Sequence, residues 1–258
     1  MSKARKITLG TKEWADSNVN CYSGCSNNCK YCYAKKMAIR FNRKTNESWN
    51  EMVPNQKAIE KGYMKRKGRV MFPSSHDITE ESLDNCLVVL EKLFKSGNNV
   101  LITTKPRFEC IQVICKKFIK YKNLLQFRFT ITSINNGLLE FWEPNAPLFE
   151  ERLKSLKYAY EKGFKTSVSI EPFLDKNPFT LVEKLLPYIT ESIWVGKMNY
   201  MSSSNINVND KKYYYSIYEI NSNKNLLEIT KKALKFGKII RLKDSIFNSL
   251  GLNKLKRN

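Results

Sequence analysis

Residues 24–34 read GCSNNCKYCYA, and the spacing of their cysteines decides how the rest of the chain is read. Cys25, Cys29 and Cys32 follow C-x3-C-x2-C. Soft thiolates suit iron–sulfur clusters. Three thiolates from one tight loop supply ligands for three irons of a 4Fe–4S cubane and leave the fourth iron without a protein ligand. An open metal position of that kind is where a substrate or cofactor enters. Cys21 stands four residues ahead of Cys25, so the four crowded cysteines are also a candidate zinc set. Zinc ribbons usually bring two separated C-x2-C pairs, and this chain has one cluster. Of the other three of its seven cysteines, Cys86 and Cys115 fall on apolar helical stripes and Cys110 sits beside one; all three read as small core hydrophobes.

Outward from that loop, short β-rich runs alternate with amphipathic helices, the pattern of repeated βα units on a parallel sheet. A short strand at 18–21 leads into the loop, and a helix follows from Cys32 to about residue 43. The run RVMF (69–72) is stopped by Pro73. A helix over 79–96 carries Leu83, Cys86, Leu87, Leu90 and Phe94 at helical spacing and stops at Gly97. VLITTK (100–105) is the next strand, then a helix over 107–121, then QFRFTITS (126–133) and a turn containing Asn135, Asn136 and Gly137. A helix through Arg152, Leu153, Leu156 and Tyr160 ends at Gly163. TSVSIEP (166–172), a helix over 178–188 and SIWVGKM (192–198) come next. Residues 199–224, rich in Asn, Ser and Tyr, read as a long loop with a short helix; a helix over 226–236 and a strand over 238–242 close the pattern. These elements predict an α/β fold, a partial (βα)6 TIM-like barrel forming a single domain over 1–258. Its cluster loop spans 21–33, and a variable C-terminal region begins near 199. In such barrels ligands collect at the C-terminal ends of the strands.

A chain of 258 residues, 42% hydrophobic, buries a sizeable core. No apolar run approaches the ~20 residues of a membrane span, and the basic N-terminus is not followed by the apolar stretch of a secretory signal. A cytoplasmic protein with no membrane partner is the expectation. The formal charge is +21. A field of that sign favours a polyanionic partner, although a solvated lysine-rich surface gives the same number. No P-loop, GxGxxG or Ser–His–Asp arrangement is present.

The C-x3-C-x2-C spacing, with aromatic Tyr31 just before the last cysteine, resembles the radical S-adenosylmethionine (SAM) superfamily. Further pieces are similar to its spore photoproduct lyase and DNA repair photolyase-like branch. They are Gly24, the Tyr-Cys-Tyr-Ala of 31–34, Thr104-Lys105 ending the third strand, and Glu143-Pro144, Pro147 and Glu151-Arg152-Leu153 after the fourth. The resemblance covers about residues 19–172 and implies a barrel of the radical SAM type. It implies a 4Fe–4S cluster on Cys25, Cys29 and Cys32, SAM chelated by the open iron, and a cellular electron donor of flavodoxin or ferredoxin type. Reductive cleavage of SAM would then give a 5′-deoxyadenosyl radical that abstracts hydrogen from a substrate. One departure stands out. Spore photoproduct lyases carry a hydrogen-donating cysteine after strand two, where this chain reads Phe72-Pro73-Ser74-Ser75-His76-Asp77. A serine O–H does not replace a thiol as a hydrogen-atom donor.

The resemblance also assigns candidate SAM contacts: Tyr31 near the adenine; Ser74, Ser75 and Asp77 for the ammonium; Lys105 for a carboxylate; Thr132 and Ser133 for ribose or carboxylate; and Glu171 at the end of strand five. Each has a plain structural alternative as a turn residue, a solvated lysine or a strand exit. Lys211-Lys212-Tyr213-Tyr214-Tyr215 interleaves charge with aromatics, as nucleic-acid stacking surfaces do. DNA or RNA is therefore a candidate substrate, for repair or modification. The competing expectations are a radical enzyme acting on a peptide, protein or small molecule, and a non-enzymatic zinc module that binds nucleic acid.

Overall fold

The computed structural model describes residues 10–201 and 206–252. The basic N-terminus, part of the expected 199–224 loop and the last six residues lie outside them. Nine strands are described: β1 (Ser17–Asn18), β2 (Tyr22–Ser23), β3 (Val53–Pro54), β4 (Arg69–Phe72), β5 (Asn99–Thr104), β6 (Leu125–Thr130), β7 (Lys165–Ile170), β8 (Ile193–Val195) and β9 (Ile240–Leu242). Seven form one sheet in the order β1-β4-β5-β6-β7-β8-β9, every neighbouring pair parallel. β2 and β3 pair antiparallel beside the cysteine loop. The helices are α1 (Tyr33–Arg40), α2 (Gln56–Glu60), α3 (Leu83–Lys95), α4 (Phe108–Phe118), α5 (Asn136–Trp142), α6 (Phe149–Glu161), α7 (Phe179–Leu185), α8 (Lys211–Ile220), α9 (Asn223–Leu234) and α10 (Asp244–Ser249). This is the partial barrel that the βα alternation predicts.

Strand periodicity divides the barrel wall into two faces. Val70, Phe72, Val100, Ile102, Phe127, Phe129, Val168 and Ile170 join the core that α3, α4, α6 and α7 cover. Each large apolar side chain buried there contributes on the order of 1.5–3 kcal/mol. The alternate residues face inward and are largely polar: Arg69, Thr103, Gln126, Arg128, Thr130, Ser169 and Glu171 all line cavities.

Local chemistry explains the boundaries. Thr79 and Ser82 exchange capping hydrogen bonds ahead of α3, and Gly97, at φ +69°, ends it. The predicted turn at 135–137 is instead a helix start. The Asn135 side chain accepts from Leu138 N and caps α5, whose Leu139 and Trp142 are buried. Seven residues are too few to display a helical period in sequence. The Lys211–Tyr215 run lies on α8, longer than the short helix expected there. Among the described residues no helix is long and apolar enough to cross a membrane.

Candidate functional site

A cavity of about 700 Å³ opens at the C-terminal ends of the parallel strands. Cys25, Cys29 and Cys32 line it together with Tyr31, Ser74, Ser75, Asp77, Lys105 and Glu171. Backbone contacts fix the cysteine loop. Cys25 N donates to Trp49 O (3.0 Å), Lys30 N to Trp142 O (2.9 Å) and Cys32 N to Cys29 O (3.1 Å). Gly24 has φ +95°, and a Cβ there would run into the carbonyl oxygen of Glu51 and stand 2.8 Å from that of Trp49. Cys32 caps α1 by accepting from Lys35 N at 3.4 Å, and Cys25 Sγ accepts from Asp77 N at 3.4 Å. Burial pushes the Cys25 thiol up to about 12 and raises those of Cys29 and Cys32. A metal group bound here therefore displaces their protons. Among the described residues no three His, Cys, Asp or Glu side chains gather closely enough to hold one metal ion. Three soft donors from one loop are a donor set that suits an iron–sulfur cluster.

Cys21 does not join the three. Its Sγ lies 3.6 Å from Cys86 Sγ and 4.0 Å from His76 Nε2, all buried. Cys21 N donates to His76 Nε2 (3.3 Å), while His76 Nδ1 lies 3.0 Å from the carbonyl oxygen of Asp77. An amide only donates and a carbonyl only accepts, so the imidazole carries its proton on Nδ1. His76 thus links the strand before the cysteine loop to the loop after β4.

That second loop is tightly held. The Asn20 side chain accepts from Ser74 N (2.6 Å) and Ser75 N (3.0 Å). Asp77 Oδ1 accepts from Lys105 N (2.7 Å) and Thr104 Oγ1 (3.1 Å), and its Oδ2 from Asn27 Nδ2 (2.8 Å). Lys105 Nζ stands 3.8 Å from Oδ2. Burial alone would raise the Asp77 carboxyl, but the Lys105 charge and these donors outweigh it and hold it low. Asp77 is thereby engaged by the protein itself, and it braces Asn27 of the cysteine loop.

Behind the loop, Tyr31 donates its phenol to Glu143, which also accepts from Thr132 Oγ1 (2.7 Å) and pairs with Arg152. Both members of that ion pair are fully buried. Arg152 further donates to Pro147 O (2.6 Å) and Thr130 O (3.3 Å). Thr132 and Ser133, expected at the cofactor, are buried away from the cavity; Ser133 Oγ bonds Asp175 (2.8 Å). The strand ends that reach the cavity are Thr130 and Ser169. β6 ends at Thr130, and beyond it the hydroxyls of Thr132 and Ser133 are taken by Glu143 and Asp175.

On the far wall, Glu171 sits 3.6 Å from Lys243, which is 2% exposed and also pairs with Glu13 at 2.9 Å. Burial raises the Glu171 carboxyl, and Lys243 offsets part of that rise. Gly196 lets the two side chains pass, since a Cβ there would lie 2.8 Å from Cγ of each. Gly196→Ala is expected to cost about 1–3 kcal/mol by overpacking. Urea unfolding checks this, and an unchanged midpoint would show that Lys243 yields freely.

Residues 19–177, more than half of the chain, match the family model described as the Radical SAM superfamily. The chain belongs to the radical SAM superfamily. Among curated relatives, this radical SAM chain is 27% identical over 233 residues to an uncharacterized protein of Methanocaldococcus jannaschii, covering 86% of each. It is 28% identical over 180 residues to an uncharacterized protein of the Acidianus two-tailed virus, covering 64% of this chain and 57% of that one. Similar folds include a spore photoproduct lyase variant with bound AdoMet and dinucleoside spore photoproduct (TM-score 0.51, 16% identity, 83% of this chain and 63% of the other). They also include Streptococcus suis SuiB bound to S-adenosylmethionine (TM-score 0.53, 11% identity, 90% and 48%). The chain thus spans about half to two thirds of those two structures, and the likeness is one of fold.

Several residues of this radical SAM site carry no sequence signal of their own. Asn20, Lys243 and Gly196 act through contacts between distant segments. Glu143 and Arg152 were visible only as pieces of a family pattern, without the buried ion pair that joins them.

Proposed function

We propose that this radical SAM chain holds a 4Fe–4S cluster on Cys25, Cys29 and Cys32 with SAM beside it, and abstracts hydrogen from a nucleic-acid substrate. The observation that carries the reading is the convergence of the three thiols with the loops after β4, β5 and β7 on one cavity. When bound, the cluster supplies the electron for reductive cleavage of SAM. The protein's part is to hold and orient. Tyr31 offers a ring fixed by Glu143, and Ser74, Ser75 and Glu171 offer oxygen acceptors for an ammonium or hydroxyl. Lys105 and Lys197, both lining the cavity, offer cationic donors. Asp77 supports this arrangement through Lys105 and Asn27. Thr132 acts through Glu143 and Ser133 through Asp175, so neither is assigned a SAM contact. A flavodoxin or ferredoxin type donor completes the electron supply.

Nucleic acid is favoured by the charge of +21 and by the mouth of the cavity. Tyr33 and Tyr200 are exposed there with ring centroids 5.8 Å apart, and the Lys36 ammonium lies 5.8 Å from the Tyr200 ring. Exposed aromatics beside cations are how single strands are gripped. The loop after β4 has no thiol, so the reaction needs another hydrogen source than the one spore photoproduct lyases use there.

Anaerobic reconstitution followed by dithionite and SAM tests the reading. The wild type is expected to carry iron and sulfide and to form 5′-deoxyadenosine. Cys25→Ala is expected to lose both, and Cys21→Ser to keep its iron. Retention of iron and activity by Cys25→Ala would overturn the assignment; zinc in place of iron would favour the binding module. Oligonucleotide affinity should fall steeply with salt through counterion release, and weak, salt-independent binding would remove nucleic acid as substrate.

A further inference from the structure

The opposite end of the barrel holds a second cavity, of about 530 Å³, at the N-terminal ends of the strands. Four cations line it: Arg69 from β4, Arg128 from β6, Lys165 from β7 and Arg241 from β9. Arg128 is 3% exposed. Its guanidinium lies against a pair of indoles packed edge to face, 4.8 Å from the Trp14 ring and 5.3 Å from the Trp194 ring. Nε donates to Ser167 Oγ at 3.2 Å, but buried Nη1 has no hydrogen-bond partner. The indole N–H groups of Trp14 and Trp194, which line the same cavity, also lack one.

Neither carboxylate that lines this cavity forms an ion pair with these cations. Asp16 Oδ2 accepts from the backbone N of Arg69 at 2.9 Å, and Glu13 pairs with Lys243. No ion pair within 4.0 Å involves Arg69, Arg128, Lys165 or Arg241 among the described residues. Residues 1–9, 202–205 and 253–258 contain no Asp or Glu side chain that could supply one. Burial and then repulsion from Arg69 and Arg241 depress the Arg128 pKa, and the charges of Glu171 and Glu191 offset only part of that fall. Holding a guanidinium in such a place is costly unless an anion shares the site.

We infer that this N-terminal cavity binds a phosphate group, held by Arg69, Arg128 and Arg241 over a floor formed by Trp14 and Trp194. Guanidinium forks match tetrahedral oxyanions in shape and charge, and indole N–H groups add neutral donors. The site opens at the other end of the barrel from the cysteine-lined cavity, with Glu13 and Trp14 lining both, and it does not depend on the reading of that cavity.

Titration of the full chain with potassium phosphate, at ionic strength held constant with potassium chloride, tests this by calorimetry and tryptophan fluorescence. Wild type is expected to show saturable binding with a change in indole emission. Arg241→Gln and Arg69→Gln should each weaken binding at least tenfold; neither side chain is fully buried, so both chains are expected to fold even where Arg128→Gln does not. A single-stranded oligonucleotide added to the phosphate-loaded protein then separates two sources of the same group. Displacement of phosphate assigns the site to a phosphodiester backbone, and no displacement assigns it to a free phosphate. Absence of saturable binding at constant ionic strength, or equal affinity in wild type and Arg241→Gln, overturns the site.

Discussion

A Gly24→Ala chain is expected to keep its barrel and lose its iron. The glycine lies at φ +95°, which costs a side-chain-bearing residue about 1–3 kcal/mol. The larger effect is steric. The new Cβ meets the backbone carbonyls of Glu51 and Trp49, and Trp49 O is the acceptor that holds Cys25 N. Neither carbonyl belongs to a flexible side chain, so the loop itself must shift and carry Cys25 with it. Iron per chain after anaerobic reconstitution should fall at least tenfold, while far-UV circular dichroism stays that of the wild type. Gly237→Ala is the control. Its φ is +62°, with no atom within 4 Å of the added carbon. It shares the backbone strain without the collision and should retain its iron. Full iron content in Gly24→Ala would show that the loop tolerates displacement and that the three thiols alone fix the cluster.

The barrel was legible because its signals are local and repeated. RVMF, for example, occupies residues 69–72 of the sheet, as read from β-branched and aromatic residues ahead of Pro73. The three cysteines stood out because their spacing within one loop is written directly in the chain, and the structure brings all three to one cavity. Other features were hidden for physical reasons. The first strand was read at 18–21, but it lies at Ser17–Asn18, and Cys21 packs against His76 and Cys86, 55 and 65 residues away. Thr132 and Ser133 look like strand-end ligands by position. Only the third dimension shows that Glu143 and Asp175 take their hydroxyls. In sequence Lys243 is one lysine among many in a chain of charge +21, yet it is 2% exposed and joins Glu13 to Glu171 across the barrel.

The two ends of the barrel use the same inward-facing alternation for different purposes. On β6, Thr130 reaches the cysteine-lined cavity while Arg128, one period earlier, reaches the other. A change of register by one residue would place Phe127 and Phe129 inside and remove both sites at once. The apolar outer face, which buries both phenylalanines completely, therefore fixes the position of the polar inner one.

Glu143→Gln is expected to be the most destabilising single change near the site, by about 3–5 kcal/mol, because it leaves the Arg152 guanidinium buried without its counter-charge. Burial alone would raise the Glu143 carboxyl. The charges of Arg152 and Lys105, with hydrogen bonds from Tyr31 and Thr132, reverse that and hold it below its ordinary value. A carboxyl depressed in the folded state stabilises fully above its unfolded pKa of about 4.3, and that contribution is lost as pH falls through the folded value. Wild type should therefore lose stability between pH 5 and more acid conditions, and Glu143→Gln, which has no proton to gain there, should lose less. Arg152→Met should show a similar cost at pH 7, whereas Glu143→Gln combined with Arg152→Met should recover part of it, since no charge is then left unpaired. Urea midpoints of the four chains at pH 7 and pH 4 measure both effects. Additive losses in the double variant would mean that the two residues act independently, and Tyr31 would then need another explanation for its fixed place behind the cysteine loop.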